Sequence, residues 1–82
     1  MDTLQILERY KKMDKMIKRR NTGTPHEFAT KLGISKSQLF NHLDYFRKKG
    51  AEITYNKTLE TYIYIKPVEL TAEFSIRPIN GK

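Results

Sequence analysis

Cysteine is absent from this chain, which removes disulfides, thiolate nucleophiles and every cysteine-based metal site. No apolar run approaches the roughly 18–20 residues of a membrane-spanning helix. The N-terminus also lacks the basic start and uninterrupted apolar stretch of a signal peptide. A cytoplasmic, nucleoid-associated protein is the expectation. Histidine is nearly absent, at positions 26 and 42 only. His26-Glu27 opens like an HExxH motif, but position 30 is Thr and one histidine does not chelate zinc. The acids are scattered, so no Ser/His/Asp or paired-carboxylate set stands out. A chain of this size buries only about 60–65% of its unfolded surface, too thin a core for a deep pocket. The residues therefore predict no enzyme, no cofactor and no metal.

Acidic charge is scarce as well, and unevenly so. Residues 1–50 carry twelve Lys/Arg against five Asp/Glu, whereas residues 51–82 carry four of each, so the whole net charge of +7 lies in the first part. A positive field confined to one portion of a small protein raises its encounter rate with polyanions, of which DNA phosphate is the commonest.

That basic part has helical period. Ile6, Tyr10, Met13 and Ile17 step along one face of a helix over residues 3–20, with Lys11, Lys15, Lys18 and Arg19 on the other side. Two capping boxes follow, Thr24-Pro25-His26-Glu27 and Ser35-Lys36-Ser37-Gln38. In each, a hydroxyl caps the amide three residues on and a Glu or Gln reaches back. Pro25 sits at the first helical position, where a missing amide costs nothing. Phe28, Ala29 and Leu32 supply an apolar face, Gly33 permits a sharp turn with positive φ, and Ile34 plugs the corner. Leu39, Leu43 and Phe46 define the buried stripe of the next helix, 36–49, which Gly50 ends. Two short capped helices about a glycine turn predict a helix-turn-helix.

Beyond Gly50 the period becomes two. Residues 52–55 and 61–66 are β-branched and aromatic around a turn at 56–60, which predicts a hairpin with Ile53, Tyr55, Tyr62 and Tyr64 among its inward residues. Val68, Leu70, Ala72, Phe74 and Ile76 then alternate with polar residues, as one further amphipathic strand would. The predicted fold class is small α+β, mainly α: a three-helix winged helix-turn-helix with a β-hairpin wing over residues 1–66, and residues 67–82 as a strand-like extension of the same domain. That extension would lengthen the wing or pair with a second copy in a homodimer.

Ser35 to Gly50, SKSQLFNHLDYFRKKG, resembles the recognition helix of ArsR-type and DeoR-type repressors in its Ser cap, the apolar residue four on, His42-Leu43 and the terminal glycine. The chain is also similar to short stand-alone winged-helix proteins in its entry Arg19-Arg20-Asn21-Thr22-Gly23-Thr24-Pro25 and in the wing residues Ile53-Thr54-Tyr55 and Thr61-Tyr62-Ile63-Tyr64. The likeness spans roughly residues 4–65 and implies a DNA-binding transcriptional regulator of bacterial or phage type. It departs from the pattern at positions 40 and 41, which lack arginine, and in a wing turn without Gly-Gly.

The helix from Lys36 leaves Lys36, Ser37, Phe40, Asn41 and Tyr45 off its apolar stripe, and these are the expected base contacts. Asn41 can pair with adenine N6 and N7 and Lys36 with guanine or phosphate, while Phe40 either contacts thymine methyls or is covered by the wing or by a partner subunit. Arg19, Arg20, Thr22, Thr24, His26 and Lys57 are the expected phosphate contacts, several of them around the second helix's N-terminus. His42, beside the stripe, is expected to be a packed, hydrogen-bonded histidine. Sequence-specific binding of double-stranded DNA, with no small-molecule effector site, is the leading expectation. The alternative is a winged helix that serves protein association without DNA.

Overall fold

The computed structural model describes residues 3–70 and 76–78. Its elements run α1 (Thr3–Arg19), α2 (Pro25–Leu32), α3 (Lys36–Lys48), β1 (Ile53–Asn56), β2 (Thr61–Tyr64), β3 (Val68–Leu70) and β4 (Ile76–Pro78). Three helices followed by an antiparallel hairpin give the small, mainly helical α+β layout of a winged helix.

Each boundary has a local cause. Both capping boxes form in full: Thr24 Oγ1 accepts from the Glu27 amide at 3.2 Å while Glu27 Oε1 accepts from Thr24 N–H at 2.8 Å, and Ser35 and Gln38 repeat the exchange at 3.1 Å each way. Gly33 closes α2 at φ 73°, where a side chain would be strained although open space surrounds it. α1 ends differently. Arg20 takes the left-handed conformation at φ 57°, with its own amide bonded to Ile17 O and that of Asn21 to Met16 O, a Schellman closure in which an arginine stands where glycine is usual.

Tyr10, Met13 and Ile17 of α1, Phe28 and Ala29 of α2, and Leu39, Leu43 and Phe46 of α3 meet in one core with Ala51, Ile53, Tyr62 and Val68, while Ile6, Leu32 and Ile34 pack half-buried against it. In the hairpin Ile53 stands opposite Tyr64 and Tyr55 opposite Tyr62, so these four share a face. Ile53 and Tyr62 are buried and the two other tyrosines pack at the edge. Asn56 Oδ1 accepts from Leu59 N–H at 2.8 Å and holds the turn.

Two long-range ties fasten the hairpin, one to the loop between α1 and α2 and one to α1. Thr22 N–H donates to Thr61 Oγ1 at 3.1 Å and Tyr62 N–H to Thr22 Oγ1 at 2.9 Å, both inside the protein. Tyr64 donates its hydroxyl to Asp14 Oδ1 at 2.7 Å, and Lys18 lies 3.0 Å from the other oxygen of that carboxylate. Burial and this bond raise the Tyr64 phenol's pKa far above its ordinary value.

The tail departs from the single strand that its alternation predicts. Val68 and Leu70 lie on β3 and Ile76 on β4, and these two strands pair antiparallel with each other, Val68 opposite Pro78 and Leu70 opposite Ile76. An apolar alternation is equally compatible with one long strand and two short ones. Ala72 and Phe74 lie outside the described residues. Val68 is buried in the core of its own chain.

Candidate nucleic-acid interface

With Leu39, Leu43 and Phe46 locked into the core, α3 has one side committed and the other exposed. Ser37, Asn41, Asp44 and Lys48 follow one another at intervals of four, three and four residues, which on a helix makes a single outward row. All four are exposed; Lys36, also exposed in the first turn, lies instead on the stripe of Leu39 and Phe40. Phe40 flanks the row, 45% exposed. The carboxylate of Asp44 would repel phosphate, but Arg47 stands 3.6 Å away and offsets it. Arg47 also donates to Ile53 O at 3.2 Å and so connects α3 to the hairpin.

Of the five expected base contacts Ser37 and Asn41 thus lie on the row and Phe40 at its flank, Lys36 is exposed at the start of the helix, and Tyr45 does not join them. Its ring stacks on Tyr10 at 5.2 Å, half-buried against α1, with Lys49 Nζ 5.6 Å from its centroid. An aromatic ring at that position gains more from packing than it would from solvent exposure. Lys48, in contrast, belongs to the outward row. Its seven-residue spacing from Asn41 was the available signal.

Among the expected phosphate contacts, Thr22 is excluded: the residue is fully buried and its hydroxyl belongs to the bonds with Thr61 and Tyr62. Thr24 is half-buried, and its oxygen serves as the cap of α2. That helix end does not offer a row of vacant amides. Pro25 has none, those of Thr24 and Glu27 are taken, and Glu27 places a carboxylate there whose pKa the Thr24 backbone bond lowers. A phosphate at this end would find His26, exposed, next to a negative charge. The start of α3 is the more receptive, because its returning side chain is the neutral Gln38 and the amides of Lys36 and Ser37 remain in the first turn. Lys57 is exposed at the hairpin turn, and Arg20 is exposed in its left-handed closure. Arg19 turns elsewhere, lining a groove on α1 with Lys11, Asp14, Lys15 and Lys18.

His42 is packed as expected. Its ring meets Tyr10 edge-on at 5.2 Å, Nε2 lies 3.5 Å from Arg9 Nη1, and burial followed by the Arg9 charge lowers its pKa. It supports the helix pair and does not belong to the outward row.

No protein-family model, curated protein or solved structure matches the chain. Among the described residues no helix is long and apolar enough to cross a membrane.

Proposed function

We propose that this chain binds double-stranded DNA sequence-specifically, as a regulator of transcription, with α3 in the major groove. The observation that supports the reading is the outward row of α3, in which Ser37, Asn41, Asp44 and Lys48 stand exposed, with Lys36 exposed in the first turn, on a helix whose other side is immobilised by the core. A major groove admits one α-helix, and short donor-acceptor side chains on it can read base edges. In this reading Asn41 contacts adenine, Lys36 and Lys48 contact guanine or phosphate, and Lys57 at the hairpin turn and Arg20 contact the backbone. The basic excess of residues 1–50 supports the same partner.

Fluorescence-anisotropy titration against genomic DNA fragments at two salt concentrations tests it. With about four to six phosphates contacted, log K falls against log salt by about 0.9 per phosphate, and Arg20→Ala flattens the slope by about one unit. A slope near zero sinks the DNA reading. On a selected site Asn41→Ala costs roughly 1–3 kcal/mol and has little effect on random DNA; equal losses on both would reassign Asn41 to the backbone. The competing reading, protein association without DNA, draws on exposed Phe40 and predicts no saturable, salt-sensitive binding.

A further inference from the structure

The proposed groove-reading surface leaves the densest charge of the chain unused. Lys11, Lys15 and Lys18 lie on the side of α1 turned away from Tyr10, Met13 and Ile17, and with Asp14 and Arg19 they line a concave groove of about 430 Å³. The one acid in it is already engaged, by the Tyr64 hydroxyl and by Lys18. Among the described residues the side chains of Lys11 and Lys15 make no hydrogen bond or ion pair, although Glu8 lies along the same stretch of α1 and the two lysines, as like charges four residues apart, repel each other. Lys18 and Arg19 have a helix-dipole reason to be in the last turn; Lys11 and Lys15, mid-helix, have none.

The placement of this groove decides its partner. Tyr10 of α1 meets Phe46 of α3 edge-on at 5.4 Å, so the two helices turn their apolar stripes toward each other and their polar sides away. A duplex seated on Ser37 and Asn41 meets the side of α3 turned from that core, while Lys11 and Lys15 lie on the side of α1 turned from it. From Lys11 to Arg19 the helix rises about 12 Å, over which one DNA strand presents three to four phosphates at about 3.4 Å each. The groove holds four cations over that length, one of them, Lys18, paired with Asp14.

We propose that the α1 groove binds the phosphate backbone of a second DNA duplex, so that one chain bridges two segments. This rests on the α3 reading for the first duplex. An anionic membrane is a poorer occupant, because the apolar side of α1 that would insert is already in the core.

Bead-bound duplex, full-length protein and a second, fluorescent duplex test the bridge, alongside anisotropy with a single short duplex. Lys11→Gln/Lys15→Gln removes two exposed charges without touching the core or the Asp14 pair, and circular dichroism checks that it folds. Wild type captures the second duplex. The double variant loses capture about tenfold and flattens its salt slope by nearly two units, while single-duplex affinity stays within a few-fold. Lys36→Gln/Asn41→Ala also loses capture. If Lys11→Gln/Lys15→Gln captures within twofold of wild type, bridging comes from elsewhere and the inference fails. If it loses single-duplex binding as severely as capture, α1 and α3 serve one duplex; the bridge then fails while DNA binding stands. Absence of binding to any duplex overturns both. Binding to phosphatidylserine vesicles that the double variant abolishes, with capture unchanged, assigns the groove to membrane instead.

Discussion

The two short helices and the hairpin are specified over very different distances along the chain. α2 and α3 each begin with a reciprocal bond between residues three apart, Thr24 with Glu27 and Ser35 with Gln38. The hairpin has one such local device, the Asn56 side chain bonded to Leu59 N–H. Apart from the Arg47 bond to Ile53 O, its other ties reach back to distant residues of α1, α2 and the loop between them: Thr61 and Tyr62 to Thr22, Tyr64 to Asp14, Tyr62 to Phe28 by ring contact at 5.7 Å. Charge divides along the same line, with the basic excess on the helices and a balanced strand portion. The comparison teaches that the helices are set by short-range bonding and can present charge outward at little cost, whereas the hairpin is oriented mainly by contacts with the helices and the loop between α1 and α2.

The largest effect that separates the two regions should come from Thr22→Val. It leaves the buried Tyr62 amide without its acceptor and takes a partner from Thr61, at about 1–3 kcal/mol per orphaned group. Amide exchange followed by NMR should show Tyr62 and its neighbours losing protection more than the amides of α3. Uniform loss across both regions would break the comparison and make the hairpin and helices one cooperative unit.

Removal of the caps should cost less and act locally. Thr24→Ala and Ser35→Ala are each expected to destabilise by about 1 kcal/mol, read as a lower urea midpoint at unchanged m-value. The double variant should be additive, since the caps belong to separate helix starts. A much larger loss in either would mean that the cap residue also holds a tertiary contact.

The smallest effect is one of pH. Burial, then the Arg9 charge, lowers the pKa of His42 in the folded protein below the ordinary 6.5. Between those two values the unfolded chain binds the proton and the folded one does not, so stability falls as pH drops through that window and levels off below the folded pKa. Urea midpoints at pH 7.5 and 5.5 measure it, and His42→Gln should remove that part of the dependence. Unchanged pH dependence in the variant would place the titrating group elsewhere, with the Glu27 carboxyl, its pKa lowered by the Thr24 bonds, as the next group to test at lower pH.

The sequence by itself determined the parts whose causes are close together in the chain. Thr24 and Ser35 start their helices, Gly33 turns between them, and Leu39, Leu43 and Phe46 fix which side of α3 is buried, because capping and helical period act within a few residues. The outward position of Ser37 and Asn41 follows from the same period. Tertiary structure alone decided the rest. Thr22 reads as a polar loop residue yet is buried because its partner Thr61 is 39 positions away, and Tyr45 is drawn back onto Tyr10. The alternation after Pro67 divides into β3 and β4, which pair with each other, and Lys11 and Lys15, like the α3 row, face away from the one core that α1 and α3 share. Such outcomes depend on which surfaces meet when the elements pack, and a sequence period states only which face is apolar, never what will cover it.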